Sequence, residues 1–398
     1  MNASFSVVNK TLTRVGITFL GCALGATALA AQPGVKQKGT ISSISFPDAA
    51  TQLAHDPMDY VNARPKALPV ATNFSPENAR AELIGLLSSV AASPGRKPGF
   101  VRGQEGDGHE SPVFLGTPAK NSADDGGVIS QEFGTSNLPF STARADGATG
   151  STNKIYPFRA TGKLFFNEGA SAFVCSASLI AKGLVVTAAH CVADFGKNTF
   201  HTAFRFAPGY KSGAAPYGNW TAKSLYVLTA YLNGTDSCSQ SGVTCKDDVA
   251  LIVLNAASGN YPGTSTGFYA YGFDGYGFTS NKLTEVTQIG YPVCLDNGEI
   301  MERNDSQGAT SASNSNNTLI GTLMCGGASG GPWLVNFGKR PNLTQTTSGS
   351  FPLSNTVIGT TSWGSTSTGP KYSGAAPFLS TNIKALVTSA CAANPGAC

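Results

Sequence analysis

Charge is scarce in this chain. Acidic and basic residues make up 13% of its 398 positions, about half the ~25% share usual in globular domains. The formal net charge of +4 is small for such a length, and no basic cluster occurs. Nothing therefore points to nucleic acid or an anionic membrane surface as a partner. Beyond the N-terminus no apolar run reaches the roughly 18 residues of a membrane span. Heptads and repeats of fixed period are also missing, which excludes coiled coils and solenoids. There is no Cys-x-x-Cys, and only four histidines are present, so the usual zinc patterns are absent. No metal or organic cofactor is expected.

Glycine is plentiful instead, with 47 residues, or ~12% against a usual ~7%. Few charges and many glycines favour short strands joined by tight turns over long solvent-facing helices. The length accommodates one domain of roughly 200–250 residues and additional segments.

Residues 1–30 read as an export signal. Lys10 and Arg14 supply positive charge, a mostly apolar stretch runs from Val15 to Leu24, and Ala28-Leu29-Ala30 ends it with small residues. That order matches a signal peptide cleaved after Ala30 and predicts a secreted or periplasmic protein. A membrane anchor is the competing reading, against which the run is short and broken by glycine. Cys22 is a candidate lipidation site, but Phe19 fits that pattern badly. Without the signal, eight cysteines remain: Cys175, Cys191, Cys238, Cys245, Cys294, Cys325, Cys391 and Cys398. An even number in an exported chain predicts disulfides, although eight cysteines allow 105 pairings.

Residues 31–100 read as a pro-segment. Ser75-Pro76-Glu77 opens a helix with an N-cap, a proline at the first position and an acid in the first turn. Leu83, Ile84, Leu86, Leu87 and Val90 follow at mainly helical spacing, and Pro94-Gly95 ends it. One amphipathic helix forms no core alone, so its apolar face is expected to dock downstream. Residues 101–150 are rich in Gly, Ser, Asn, Asp and Thr, as in an exposed flexible linker where processing occurs. Arg102, Lys120 and Arg144 are candidate cleavage points.

From 151 to 398 the texture changes to short β-type runs: 162–166, 183–187, 249–254 and 357–363. This predicts an all-β domain. A single helix is expected from about Thr381 to Ala390, with Ile383, Leu386 and Val387 on one face. The polar stretches Asn304–Thr318 and Leu343–Asn355 read as surface loops, and the aromatic run Phe268–Phe273 as barrel packing more than a cleft lining.

A serine hydroxyl is a poor nucleophile unless a base lies within hydrogen-bond reach and a third group fixes the tautomer of that base. The developing oxyanion also needs backbone N–H donors, which glycines help to aim. Gly326-Gly327-Ala328-Ser329-Gly330-Gly331-Pro332 supplies the serine, although taken alone it also reads as a flexible turn. Thr187-Ala188-Ala189-His190-Cys191 places a histidine after an apolar strand, and Asp248-Val249-Ala250-Leu251 opens a buried strand with a carboxylate. Asp247 is the alternative acid, but alternation turns it to the other side.

These three motifs, in the order His, Asp, Ser and 58 and 81 residues apart, resemble the trypsin/chymotrypsin family of serine peptidases. Ser362-Trp363-Gly364 resembles that family's substrate-pairing strand. Tyr156-Pro157-Phe158-Arg159 and Gly290-Tyr291-Pro292 look closer to its bacterial glutamyl-endopeptidase-like branch. The resemblance covers about residues 150–390. It implies two six-stranded antiparallel Greek-key barrels (chymotrypsin-like), all-β with a short C-terminal helix; the small partly helical pro-region read before them has no counterpart in that resemblance. It further implies a secreted endopeptidase, with His190, Asp248 and Ser329 as its triad and the N–H groups of Gly327 and Ser329 as its oxyanion hole. Leu323, Ser362, Trp363 and Gly364 would bind substrate. The partners implied are protein or peptide substrates and the chain's own pro-segment, acting on a monomer.

Cys175 and Cys191 occupy the places of the family disulfide that brackets the histidine. Local pairing then suggests Cys238–Cys245, Cys294–Cys325 and Cys391–Cys398. Two positions depart from the digestive members. Ala328 stands where they carry the aspartate that pairs with a new N-terminal amine, so a different control by the pro-segment is expected. Leu323 offers no counter-charge for arginine or lysine, and Thr361 replaces the histidine of glutamate-specific relatives, which points to a small or apolar side chain before the cleaved bond. A catalytically silent binding or adhesion module and an esterase with the same triad are the alternative functions.

Overall fold

Alternation along the strands explains both faces of the first barrel. Leu164, Phe166, Val185, Leu225, Val227, Ile252 and Leu254 meet in one buried cluster. Their neighbours Phe165, Leu184, Val186, Tyr226, Leu251 and Val253 point the other way and are buried as well. Successive side chains of a strand point to opposite faces, so the first set fills the barrel and the second needs an outer cover. That cover is Tyr269, Tyr271, Ile289 and Tyr291 of the second half and Ile383, Leu386 and Ala390 near the C-terminus. Burial on both faces is why these strands read as unbroken apolar runs.

The computed structural model describes residues 32–69, 98–116, 139–146, 150–239, 244–279, 282–310, 318–338, 353–364 and 371–398. The expected signal peptide with Cys22, the expected helix after Ser75 and most of the expected loop Leu343–Asn355 lie outside them. Six strands close the first barrel in the order Trp220–Leu228, Thr202–Pro208, Thr161–Glu168, Ser171–Ala181, Leu184–Thr187 and Ala250–Leu254, which returns to the first. The second barrel runs Pro332–Val335, Leu283–Gly290, Glu302–Thr310, Thr318–Gly321, Tyr372–Pro377 and Thr356–Gly364, again back to its start. Every neighbouring pair in both rings is antiparallel. Closure leaves no free edge within either ring. A helical turn, Ser380–Lys384, leads into the helix Ala385–Ala393, a little later than the spacing predicts.

Two expectations need correction. Asn304–Thr318 is not a surface loop as far as Thr310, because Glu302–Thr310 is a strand of the second barrel. Its buried Asn304 is satisfied inside the sheet, accepting from Thr142 Oγ1 at 2.5 Å and donating to the Gly321 carbonyl at 2.9 Å. Two short strands in and beside the expected linker 101–150 also join the second barrel's sheet. Gly99–Val101 runs antiparallel to Ala270–Phe273, and Phe140–Arg144 antiparallel to Glu302–Ser306. Backbone pairing needs no hydrophobic period, so such short strands leave little trace in composition.

Residues 32–69 behave similarly. Ile41–Ser45 pairs with Ser224–Leu228, on the stretch of that long strand beyond its pairing with Thr202–Pro208. A short helix, Ala49–Ala54, follows, with Asp48 capping the Thr51 N–H at 2.9 Å. All four expected disulfides are present: Cys175–Cys191, Cys238–Cys245, Cys294–Cys325 and Cys391–Cys398.

Candidate active site

His190 and Asp248 meet because their strands are neighbours in the first barrel. Thr187, the last residue of Leu184–Thr187, pairs with Ala250, the first of Ala250–Leu254. Past those paired ends, His190, three residues beyond Thr187, comes alongside Asp248, two residues before Ala250. A tight turn, Ala189–Cys191, carries the imidazole, and the Cys191–Cys175 disulfide ties that turn to the adjacent strand. The Asp248 carboxylate accepts from His190 Nδ1 at 2.9 Å through Oδ2 and from the His190 backbone N–H at 2.9 Å through Oδ1. Ser362 Oγ also donates to Oδ2. A carboxylate that only accepts puts the ring proton on Nδ1 and leaves Nε2 as the basic nitrogen.

Asp248, and not Asp247, holds His190. The Asp247 backbone N–H donates to Asp236 Oδ2 at 2.9 Å. Burial, and next the charge of Asp236, push its carboxyl up to about 7.

Ser329 comes from the second barrel and is held between the two. Its carbonyl accepts the Ser176 N–H of the first barrel at 2.8 Å, while the next residue, Gly330, donates to the Thr361 carbonyl at 2.7 Å. Gly330 has φ +76, and a Cβ there would overlap Thr187 Oγ1 and come within 2.5 Å of the Ser176 carbonyl. Only glycine lets the serine loop come this close to the histidine strand. Ser329 Oγ and His190 Nε2 are both buried, and neither has a hydrogen-bond partner among the described residues. A nucleophile and a base on one carboxylate-oriented constellation can perform acyl transfer, and their mutual bond commonly tightens only once a substrate is bound.

The loop ahead of Ser329 is fixed without an ion pair at Ala328, which is fully buried. Gly326 C=O accepts the Val293 N–H at 2.9 Å, which orients the peptide carrying the Gly327 N–H. Gly327 C=O accepts Ser176 Oγ at 2.8 Å. The Cys294–Cys325 disulfide joins the same two loops. The Gly327 N–H, the expected oxyanion donor, donates to the carbonyl of Lys66 at 3.2 Å.

Of the expected substrate-binding residues, Leu323 is buried and its N–H donates to Thr142 Oγ1 at 3.2 Å. Trp363 packs edge-on to Tyr372 with centroids 5.7 Å apart. Gly364 faces Leu68, whose Cδ1 stands 2.7 Å from where a Cβ would be. Ser362, expected on the substrate strand, turns its hydroxyl to Asp248. Thr361 Oγ1 accepts from Gln288 Nε2 at 2.9 Å and Trp333 Nε1 at 3.1 Å, so it is committed to the barrel interior. Sequence reasoning missed Ser176, Val293 and Lys66. Ser176 directly follows Cys175, but no residue type marks it, and nothing in Arg64-Pro65-Lys66 signals a contact with Gly327.

Metal-ligating side chains gather at Cys175, His190 and Cys191, but both cysteines there are disulfide-bonded and offer no thiolate. No described helix is long and apolar enough to cross a membrane.

The family model described as Trypsin matches residues 148–384. An extracellular metalloprotease of Bacillus subtilis is 30% identical over 125 residues, covering 30% of this chain and 35% of the relative. A glutamyl endopeptidase of Bacillus licheniformis is 26% identical over 151 residues, covering 37% of this chain and 41% of the relative. The chain thus spans about two fifths or less of the curated relatives it matches. Among solved structures, a thermostable serine protease from an extremophilic microorganism is 24% identical with a TM-score of 0.48, covering 59% of this chain and 98% of that one. The protease Anisep from Arthrobacter nicotinovorans is 28% identical with a TM-score of 0.46, covering 59% and 96%.

Proposed function

The chain belongs to the trypsin family, and from that premise we propose that it is an exported serine endopeptidase acting through an acyl-enzyme. The observation that carries this reading is the Asp248–His190 pair, with Nδ1 held at 2.9 Å, together with a buried Ser329 hydroxyl and a buried His190 Nε2 that have no hydrogen-bond partner among the described residues. Ser329 Oγ attacks the scissile carbonyl while His190 Nε2 takes its proton. The same nitrogen returns that proton to the leaving amine, and the acyl group stays on Ser329. Water, deprotonated by His190, then releases the acid. Asp248 keeps the imidazole in the required tautomer and steadies its positive charge, and the backbone N–H groups of Gly327 and Ser329 stabilise the oxyanion.

Substrate is a peptide with a small or apolar side chain before the cleaved bond. Leu323 offers no charge there, and the Thr361 hydroxyl is already engaged. The expected export signal makes the place of action extracellular or periplasmic. The test is labelling of the purified, processed protein by a fluorophosphonate probe, alongside Ser329→Ala. Wild type is expected to label and the variant not. Labelling of neither, or of both equally, defeats the reading. A peptide-library digest by the unlabelled, processed protein separates an endopeptidase from an esterase.

A further inference from the structure

Residues 32–69 precede the family-matched region and yet end at the loop of Ser329. They enter by pairing Ile41–Ser45 with Ser224–Leu228, burying Ile41 and Ile44. Gln52 Nε2 then donates to the Ala222 carbonyl at 2.7 Å. Asp56 pairs at 2.8 Å with Arg205, a first-barrel guanidinium only 1% exposed. Tyr60 lies against Phe165 with centroids 5.2 Å apart. Past the buried Met58 and Ala63, Arg64 and Pro65 run parallel to Phe173 and Val174. Lys66 donates its N–H to the Val174 carbonyl at 2.9 Å and offers its own carbonyl to the Gly327 N–H at 3.2 Å. Leu68 ends the run over Gly364.

An N–H that serves the Lys66 carbonyl is not available to an oxyanion, and a leucine over Gly364 covers the strand expected to pair with substrate. The segment is nonetheless not seated as a substrate. Its carbonyl fills the hole, but the Lys66 ammonium turns to Glu168 and lies 5.3 Å from the Phe173 ring centroid. Glu168 clusters there with Asp194 and His201. Leu323, the expected floor of the specificity pocket, is held instead beside Thr142 of the second barrel's outer strand.

We propose that residues 32–69 are a non-covalent inhibitory partner of the peptidase domain. When the chain is cut beyond Leu68, the fragment stays bound, and the site opens only when the fragment is itself degraded or displaced. This rests on the acyl-transfer reading and adds its regulation. The strand pairing, the Asp56–Arg205 pair and the buried Ile41, Ile44, Met58 and Leu68 do not depend on covalent continuity with the residues beyond 97. Removing Asp56 also leaves Arg205 without its counter-charge, which favours rebinding.

The test uses the full chain with a site-specific protease sequence inserted after Ser93. After cutting, the N-terminal fragment is expected to co-elute with the domain. Fluorophosphonate labelling of Ser329 should stay about 100-fold slower than after the fragment is digested away, the loss associated with one oxyanion donor. Leu68→Asp buries a charge and Lys66→Glu sets like charges beside Glu168, so each should raise labelling of the cut material about tenfold or more. Equal labelling with and without bound fragment overturns the proposal. A readout free of catalysis runs in parallel: amide exchange at Gly327 in the Ser329→Ala chain, expected to be slow and to accelerate with Leu68→Asp. Unchanged exchange also overturns the proposal. If no form labels, the acyl-transfer reading fails, and Gly327 exchange alone then decides whether the segment occupies the hole.

Discussion

The hydroxyl of Ser176 donates to the carbonyl of Gly327 across 2.8 Å and accepts the N–H of Tyr291 at 2.9 Å. One small side chain of the first barrel thereby joins two loops of the second. Digestive relatives hold the corresponding loop by a buried ion pair, for which Ala328 has no charge to offer. Here Ser176, the Val293 N–H and the Cys294–Cys325 disulfide hold it together. Such an arrangement needs no newly formed N-terminal amine, which fits the inhibitory role proposed for residues 32–69.

Ser176→Ala is expected to lower kcat about tenfold with little change in KM, because the hydroxyl acts on the oxyanion loop and not on ground-state binding. Steady-state kinetics on the processed protein, with a thermal melt as control for folding, checks this. A raised KM at unchanged kcat would remove Ser176 from the positioning of the loop.

Asp248 accepts from His190 twice and from Ser362 once. Asp248→Asn keeps the shape but favours the wrong tautomer of His190, and a loss of about 10⁴ in kcat is expected. Ser362→Ala removes only one neutral donor and should cost far less, about tenfold. Comparable losses in both variants would contradict the division of labour described here.

Asp247 makes stability depend on pH in a predictable direction. Burial and the Asp236 charge raise its carboxyl from an ordinary 3.8 to about 7 in the folded protein. Between those values the unfolded chain binds fewer protons than the folded one, so this group's contribution to stability falls as pH rises. It is fully present below about 4 and lost above about 7. Asp247→Asn, made in the Ser329→Ala background to prevent self-digestion, should raise Tm at pH 8 and leave it nearly unchanged at pH 4. A gain that is equal at both pH values, or larger at the lower one, would refute the assignment.

The settings of His190, Asp248 and Ser329 were legible because the chemistry proposed for each needs a local sequence signal: a strand end, a buried strand start and a glycine-rich turn. The four disulfides followed from the same alignment and from short separations. Polar barrel positions were not legible. Asn304 and Ser306 are buried and hydrogen-bonded within the sheet or to its neighbours, so the hydrophobic alternation that announces a strand is missing and the stretch reads as a loop. The short strands at Gly99–Val101 and Phe140–Arg144 were hidden for the related reason that backbone pairing is indifferent to side-chain type.

By itself the sequence determined the all-β character and the order of the three residues proposed to react, because strand alternation and turn chemistry are written in adjacent residues. It also removed the activation ion pair, since Ala328 has no charge. What the tertiary structure alone decided is everything set by contacts between distant segments: Ser176 under Gly327, Ser362 on Asp248, and the Lys66 carbonyl on the Gly327 N–H. Those contacts depend on which strand edges and carbonyls two closed barrels bring within 3 Å or so of each other. No local pattern encodes that distance.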